Sequence, residues 1–591
     1  MDRPGRVRIL VAVTVEGPKA DDPEASGRLL FALALLAGAL LRLVLIGRPD
    51  LFGADEGTWA VGARNLVEGN GAQALALSAT PLGEPAGTPI LFPVILSVMV
   101  RVFGPEEWAI RFPSAIAGLI GAFVLERIIR RGWGQPAGHL AGAFAALLPP
   151  LVSASRAATV EPMLAAGGLA GILFGLRAFE EDEPFEAALA GLFFGLGFLA
   201  KGYAVGLYLL PLLAALAVRP RLFGLGRTWR SLGLLAAVFV LTGGTRLFAV
   251  ALFRPDLFFF QLATLFGASE AAARVAAAPT AFAADPKSLV STLFFFLPLA
   301  GAGVAVLSRP VGEGEVDSGA TGGERRLDHR VLWGVFFVEL VVVVAVAGRL
   351  RLSSIPVLPA IAALAGLGGA ALLRPSDDPA RRRRETGSAA LAGLFILAVA
   401  AVLAASPVEP LFGGKERPVD VTAALAAIAG VALVSALLLR GLGARFLGGR
   451  LAFVFLSGLL VAGGVESMRA IRLALLGHRT GARETAAQIS PQLASATPAE
   501  VSFRGAEIEA IEFLLFRTGV SWEEMASTEA LVAEARAGKI RAWIYHEGAP
   551  PGPLAPPQEV RAALAAELQD VTAQVDARAG RTTGLRVFVP R

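Results

Sequence analysis

The sequence predicts an all-α polytopic membrane protein with about thirteen transmembrane helices and a small C-terminal extracytoplasmic α/β domain. Of its 591 residues, 55% are hydrophobic and only 17% are charged, whereas about a quarter are charged in soluble domains. Apolar runs long enough to cross a bilayer recur along most of the chain. A transmembrane β-barrel would show short alternating segments instead. The sequence therefore predicts the lipid bilayer as a partner of the protein.

The apolar runs locate the individual helices. They lie at 28–47, 111–130, 136–153, 157–178, 186–200, 203–218, 231–253, 289–308, 331–348, 352–373, 388–405, 421–440 and 451–470. Arginines collect in alternate loops, as at Arg130–Arg131 and in the run at 381–384, and the positive-inside rule assigns these loops and the N-terminus to the cytoplasm. The acidic loop at 180–184 departs from this pattern, but acidic residues weigh little in the rule.

This topology divides the chain into three parts. Residues 1–27 form a polar cytoplasmic tail, and residues 28–470 form the transmembrane domain, with a first extracytoplasmic loop and its juxtamembrane helices at 48–110. The first apolar run lacks a clear cleavage site, which predicts a retained helix and a multi-pass protein of the cell (inner) membrane. Residues 471–591 form the extracytoplasmic α/β domain. Its strands are predicted at "VSFRG", "IRAWIYHE" and "LRVFVP", and its helices at "EIEAIEFLLFRTG" and "STEALVAEARAGK".

Composition excludes several classes of chemistry. With 0 cysteines, the chain has no disulfide, no thiolate metal site and no Cys nucleophile. The 4 histidines are scattered and lack the paired spacing of a His-based metal site. The net charge of +5 follows from the arginine-rich loops, so it does not indicate a nucleic-acid partner.

Unusual polar residues collect on the predicted extracytoplasmic side. They are Asp55, Glu56, Arg156, Glu161, Lys201, Arg349 and Arg351. Ionisable groups within or at the edge of a membrane helix are energetically costly, and they usually face a cavity or a charged partner. Carboxylates and cations that converge on one cavity point to an anionic lipid headgroup together with acid–base chemistry.

Each of these residues also has a purely structural interpretation. The acidic pair would suit a helix N-terminus, where the helix dipole favours negative charge. Arg156 and Arg349 would serve as interfacial anchors, and Lys201 as an ordinary loop residue. Arg42, within the first span, would extend its charged end to the interface.

Several segments, taken in order, resemble a known family. They read "LRLVLIGRPDLFGADEGTWAVGARNLVEGN", "GPEEWAIRFPSAIAGLIGAFVLERIIRR", "SRAATVEPML", "GFLAKGYAVGLYLLP" and "RLSSIPVLPAIAALAG". Together they resemble the lipid-linked-sugar glycosyltransferases of the GT-C fold, nearest to the superfamily of protein O-mannosyltransferases and lipid A aminoarabinose transferases. The resemblance rests on the order and the sidedness of these motifs taken together.

The resemblance implies transfer of a sugar from a polyprenyl-phosphate donor to an acceptor on the extracytoplasmic face. It assigns Asp55 as general base or metal-associated carboxylate, with Glu56 as support, and Glu161 to the acceptor or a metal. The cations that would hold the lipid phosphate are Lys201, Arg156 and Arg349 or Arg351. A divalent metal cation stays open as a cofactor, and the acceptor stays open among lipid, glycan and protein.

The chain departs from the family pattern at three places. A first-loop lysine of many relatives is replaced by Thr88–Pro89, the tyrosine after the acidic pair by Trp59, and a later tyrosine by Ser353 or Ser354. One expected phosphate contact is therefore missing. The loop at 254–288 is predicted to be a mobile lid over the cavity.

Three other functions compete with this prediction. A transporter or flippase of lipid-linked sugars would need polar groups along the full crossing, whereas here they cluster on one side. An acyl- or phosphotransferase would be expected to carry a His or a Ser–His pair. A non-enzymatic scaffold would leave the clustered acids unexplained.

Overall fold

A computed structural model provides the structure of the protein. It describes residues 23–47, 53–69, 91–218, 226–244, 328–350, 355–373, 482–493, 501–505, 518–520, 528–537, 539–547, 558–579 and 585–590, and isolated positions at 299–300, 303–304, 307, 456–458, 460–461, 464–465, 467–468, 514 and 583. The predicted lid at 254–288, Thr88–Pro89, Arg351 and Ser353–Ser354 lie outside these residues.

Twelve described helices precede the tail region, numbered here in chain order. They are α1 (Pro23–Leu43), α2 (Gly53–Val67), α3 (Leu91–Phe103), α4 (Glu107–Trp133), α5 (Gln135–Leu147), α6 (Pro149–Arg156), α7 (Glu161–Glu181), α8 (Pro184–Lys201), α9 (Gly206–Ala217), α10 (Gly226–Phe239), α11 (His329–Leu350) and α12 (Pro359–Leu373). Within the described ranges, α4, α7 and α8 are long and apolar enough to cross a membrane, and α5 with α6 forms a bent fourth candidate. The chain is an integral membrane protein.

Several predicted spans coincide with these helices but differ in detail. The span predicted at 157–178 begins at Glu161 and is preceded by a short connection, and the span at 203–218 begins with a 3-10 turn before α9. The spans predicted at 388–405 and 421–440 lie outside the described residues. The total of about thirteen therefore stays a prediction.

Helix α1 carries an apolar face of exposed leucines. Leu29, Leu33, Leu36 and Leu40 are each more than half exposed, and their spacing of three and four residues places them on one side of the helix. The helix packs against α5. Such a leucine face, exposed in the part of the chain that the structure describes, is suited to contact with lipid.

The span predicted at 136–153 is broken by prolines. Helices α5 and α6 meet at an angle of 52°, where Pro149 and Pro150 begin α6. Proline has no backbone N–H, so the carbonyls four residues earlier, those of Ala145 and Ala146, lose their usual helical donors. Another donor must replace these hydrogen bonds inside the membrane.

Arg42 supplies those donors. Its Nη1 donates to the carbonyl of Ala146 at 2.6 Å and its Nη2 to that of Ala145 at 3.5 Å. The side chain is fully buried. The expectation that Arg42 extends to the interface is therefore wrong, because its guanidinium is occupied by the broken helix.

The acidic loop at 180–184 is neutralised by nearby arginines. Arg131 of α4 contacts Glu180 at 2.5 Å and Glu181 at 2.6 Å, and Arg227 contacts Asp182 at 2.8 Å. These ion pairs explain how a loop that departs from the positive-inside pattern is accommodated beside its basic neighbours.

The tail contains a five-stranded mixed sheet. Its strands are β1 (Val501–Gly505), β2 (Thr518–Val520), β3 (Trp543–His546), β4 (Leu568–Asp570) and β5 (Leu585–Pro590). Their order across the sheet is β2-β1-β3-β5-β4, with β1 parallel to both neighbours and β5 antiparallel to both of its own. The described helices here are α13 (Ala482–Ile489), α14 (Thr528–Arg536), α15 (Gln558–Glu567) and α16 (Thr572–Ala579). The three strands predicted from the sequence are present as β1, β3 and β5, and the second predicted helix corresponds to α14.

The tail sheet and the juxtamembrane helices share one apolar core. Ala60 of α2 and Leu96 of α3 belong to the same buried cluster as Ile544 of β3 and Val587 of β5. The side chains of Trp59 and Met163 pack against this cluster. The tail region therefore supports α2, the helix that carries the acidic pair.

Candidate functional site

Glu56 of α2 is held in the protein interior by Arg111 of α4. Arg111 Nε donates to Glu56 Oε1 at 2.9 Å, and Arg111 Nη2 donates to Oε2 at 2.6 Å. Both side chains are about 3% exposed. This geometry is the bidentate fork in which a guanidinium binds a carboxylate most strongly.

Two further hydrogen bonds extend this clamp. The backbone N–H of Ala158 donates to Glu56 Oε1 at 2.6 Å, and Arg111 Nη1 donates to the carbonyl of Ile46 at 3.0 Å, just after α1. Ser114 of α4 donates to the carbonyl of Thr159 at 2.8 Å. The start of α4 therefore fixes the positions of α2, the end of α1 and the connection at 157–160.

That connection leads directly to a second ion pair. Glu161 is the first residue of α7, and its Oε1 accepts a hydrogen bond from Nζ of Lys201, the last residue of α8. Lys201 was expected in a turn. It ends a helix instead, and the turn begins at Gly202, whose φ of +57° lies in the left-handed region that glycine tolerates.

Arg156 ends α6 and binds the neighbouring end of α1. Its Nη1 lies 2.5 Å from the carbonyl oxygen of Leu41 and 2.9 Å from that of Val44. The last carbonyls of a helix have no partner within the helix. Arg156 therefore caps the C-terminal end of α1. In turn, Arg42 of α1 donates to the carbonyls at the C-terminal end of α5.

The remaining predicted site residues are described less fully. Asp55 lies in the first turn of α2, immediately before the clamped Glu56. Arg349 lies at the C-terminal end of α11. For both residues the structure gives the backbone, and the roles of their side chains stay predictions.

The structure thus brings together Glu56, Arg156, Glu161 and Lys201 at one end of the membrane helices. It adds Arg111, which lies in one of the segments that resemble the family but is not among the predicted site residues. One feature of the sequence could have identified Arg111. It is an arginine near the start of a predicted membrane helix, where an unpaired charge would be costly.

The described carboxylates of this site do not form a metal centre. Glu56 is bound to Arg111, and Glu161 is bound to Lys201. Within the described part of the chain, no three His, Cys, Asp or Glu side chains converge in a way that would hold a metal ion.

The fold is that of the GT-C glycosyltransferases. It is similar to crystal structures of ArnT from Cupriavidus metallidurans, in the apo state with a TM-score of 0.53 and 17% identity, and bound to undecaprenyl phosphate with a TM-score of 0.54 and 19% identity. Each match covers 95% of this chain and 97% of the other. The fold that the sequence resemblance implied is thereby confirmed.

Sequence comparisons cover a smaller part of the chain. Residues 87–243 match the family described as dolichyl-phosphate-mannose-protein mannosyltransferase. A segment of 112 residues is 30% identical to the putative mannosyltransferase YycA of Bacillus subtilis (strain 168). This segment is 18% of this chain, and the chain spans only 16% of the length of that relative. The family match includes Arg111, Arg156, Glu161 and Lys201.

Proposed function

We propose that the protein is a membrane glycosyltransferase that moves a sugar from a polyprenyl-phosphate donor to an acceptor at the extracytoplasmic face. The observation that carries the proposal is the arrangement at one end of a GT-C fold. There, a bidentate Arg111–Glu56 clamp fixes the helix that bears Asp55, and Lys201 lies at the end of α8, paired with Glu161.

In this proposal the two adjacent acids have different tasks. Glu56 is fully engaged by Arg111 and by the N–H of Ala158, so it positions α2 and does not exchange protons. Asp55 is then the carboxylate that receives the proton of the acceptor hydroxyl. The acceptor oxygen bonds to the anomeric carbon, and the bond from that carbon to the phosphate oxygen breaks with its electron pair left on the phosphate.

Lys201 would bind that phosphate. A primary ammonium can stabilise the charge that develops on a leaving phosphate. It stands at the C-terminal end of α8, whose dipole also favours a cation. Arg349, near the end of α11, and Arg351, which follows that helix in the sequence, are proposed as additional phosphate ligands.

ArnT of C. metallidurans, whose fold this chain shares, has been crystallised with undecaprenyl phosphate. This supports a lipid phosphate as the chemistry that the proposed site recognises. We place the site on the extracytoplasmic side of the cell membrane, because Arg111 lies near the start of its helix and the basic pair Arg130–Arg131, which the positive-inside rule assigns to the cytoplasm, lies at the other end. The acceptor class stays open among lipid, glycan and protein.

A sugar-transfer assay tests the proposal. The purified protein in liposomes would receive radiolabelled polyprenyl-phosphate sugars and a panel of acceptors, and wild type would be compared with Asp55→Asn. We expect wild type to release polyprenyl phosphate and form a labelled product, and Asp55→Asn to be slower by a factor of about 10²–10⁴.

Two outcomes would contradict it. Transfer that is unaffected by Asp55→Asn would remove the assignment of the base while leaving the enzyme class. Movement of the donor across the bilayer without cleavage would favour a flippase of lipid-linked sugars.

A further inference from the structure

The Lys201–Glu161 pair joins two helix ends that each stabilise their own charge. Glu161 begins α7, where the helix dipole favours an anion, and Lys201 ends α8, where it favours a cation. Each charge therefore keeps local stabilisation if the other is withdrawn.

The two partners differ in their access to a ligand. The side chain of Lys201 is 32% exposed, whereas that of Glu161 is 14% exposed. An incoming anion would reach the ammonium group more readily than the carboxylate. Lys201 also has a flexible stem of four carbons that can redirect its charge without a change in the backbone.

We propose that Glu161 is a product-release residue, whose carboxylate competes with the lipid phosphate for Lys201. The inference rests on the proposed function, because it takes Lys201 as the phosphate ligand. When the phosphate binds, the ammonium turns from Glu161 to the phosphate. When the lipid phosphate leaves after transfer, the Lys201–Glu161 pair forms again.

The exchange limits how tightly the product is held. Part of the interaction between Lys201 and the phosphate is offset by the loss of the pair with Glu161, and the nearby carboxylate repels the bound anion. A site without this competitor would retain its product longer, and product release limits turnover in many enzymes. Glu161 thus differs in role from Glu56, whose carboxylate is deeply buried and held by a fork.

The experiment measures the affinity of undecaprenyl phosphate for the full-length protein in lipid nanodiscs. We expect Glu161→Gln to bind it about fivefold more tightly than wild type and to release it more slowly, the size of effect of one partly exposed ion pair. Glu161→Asp, with its shorter side chain, should fall between the two. Lys201→Met should bind about tenfold more weakly.

A matched control lies at the other ends of the same two helices. Arg177 of α7 and Glu186 of α8 form an ion pair with an N–O distance of 3.2 Å. Glu186→Gln removes the same charge from the same helix pair, and we expect it to leave the affinity for undecaprenyl phosphate unchanged.

The outcomes separate this inference from the proposed function. Weaker or unchanged binding in Glu161→Gln would overturn the competitor role, and weaker binding would make Glu161 a residue that positions Lys201. Equal tightening in Glu186→Gln would also overturn it, because the effect would then come from net charge. Unchanged binding in Lys201→Met would instead remove the phosphate site on which the proposed function depends.

Discussion

Arg111 holds both carboxylate oxygens of Glu56, at 2.9 Å from Nε to Oε1 and 2.6 Å from Nη2 to Oε2, in the protein interior. This pair links the start of a membrane helix to the helix that bears Asp55. In the proposed function, this pair leaves Glu56 to position α2 and Asp55 to act as the base.

Breaking this pair from either side should destabilise the protein strongly. Arg111→Met or Glu56→Gln alone leaves a buried group without its partner, which costs about 3–5 kcal/mol in the free energy of unfolding. We expect a clearly lower midpoint of thermal unfolding in detergent, measured by tryptophan fluorescence. Arg111→Lys keeps the charge but loses the fork, so its midpoint should fall in between.

The matched control is Arg101→Met on the neighbouring helix α3, because this arginine is exposed. Its midpoint should match wild type. The double variant Arg111→Met/Glu56→Gln should lose less stability than the sum of the single variants. Strict additivity would mean that the two groups do not stabilise each other.

Replacement of Arg42 should weaken the bend between α5 and α6. Arg42→Met leaves the carbonyls of Ala145 and Ala146 without their donors, at a cost of about 1–3 kcal/mol for each unsatisfied group. We expect a lower thermal midpoint than in Arg28→Met, which changes an exposed arginine of the same helix. Equal midpoints in the two variants would mean that Arg42 does not support the broken helix.

Gly118 should tolerate no side chain. A Cβ added there would lie 2.1 Å from Ser155 Oγ and 3.1 Å from Arg42 Nε, so Gly118→Ala forces the α4–α6 contact apart, at about 1–3 kcal/mol. Gly233→Ala is the control, because nothing lies within 4 Å of its added Cβ. It should be neutral or stabilising by up to about 1 kcal/mol.

The thermal midpoints of the two glycine variants check this prediction. Ser155→Ala removes the nearest atom and should restore part of the stability lost in Gly118→Ala. A midpoint of Gly118→Ala at or above that of Gly233→Ala would show that α4 and α6 are not in close contact.

Arg156 should act on α1 more than on the lipid phosphate. Arg156→Met removes the donors to the carbonyls of Leu41 and Val44, and we expect a stability loss of about 1–2 kcal/mol. Its affinity for undecaprenyl phosphate should change less than that of Lys201→Met. A loss of affinity as large as that of Lys201→Met, with the thermal midpoint unchanged, would make Arg156 a phosphate ligand instead of a helix cap.

The sequence by itself determined that this is a helical membrane protein, and it located many of the helices and strands. Hydrophobic length identifies membrane helices because each must be apolar over the thickness of the bilayer. The order of short motifs pointed to the GT-C fold, and alternation in the tail indicated β1, β3 and β5. It also directed attention to Glu161 and Lys201, which are 40 residues apart in the chain and in contact in the fold.

Only the tertiary structure showed which groups Arg42, Arg156 and Glu56 bind. Arg42 and Arg156 are both arginines near helix ends, and the sequence could not show that each bonds to carbonyls of another helix. The sequence resemblance gave Glu56 a supporting role beside Asp55, and only the fold brings Arg111, 55 positions away, onto its carboxylate. Hydrophobic periodicity is a local property, whereas the partner of a buried charge depends on which helices pack together.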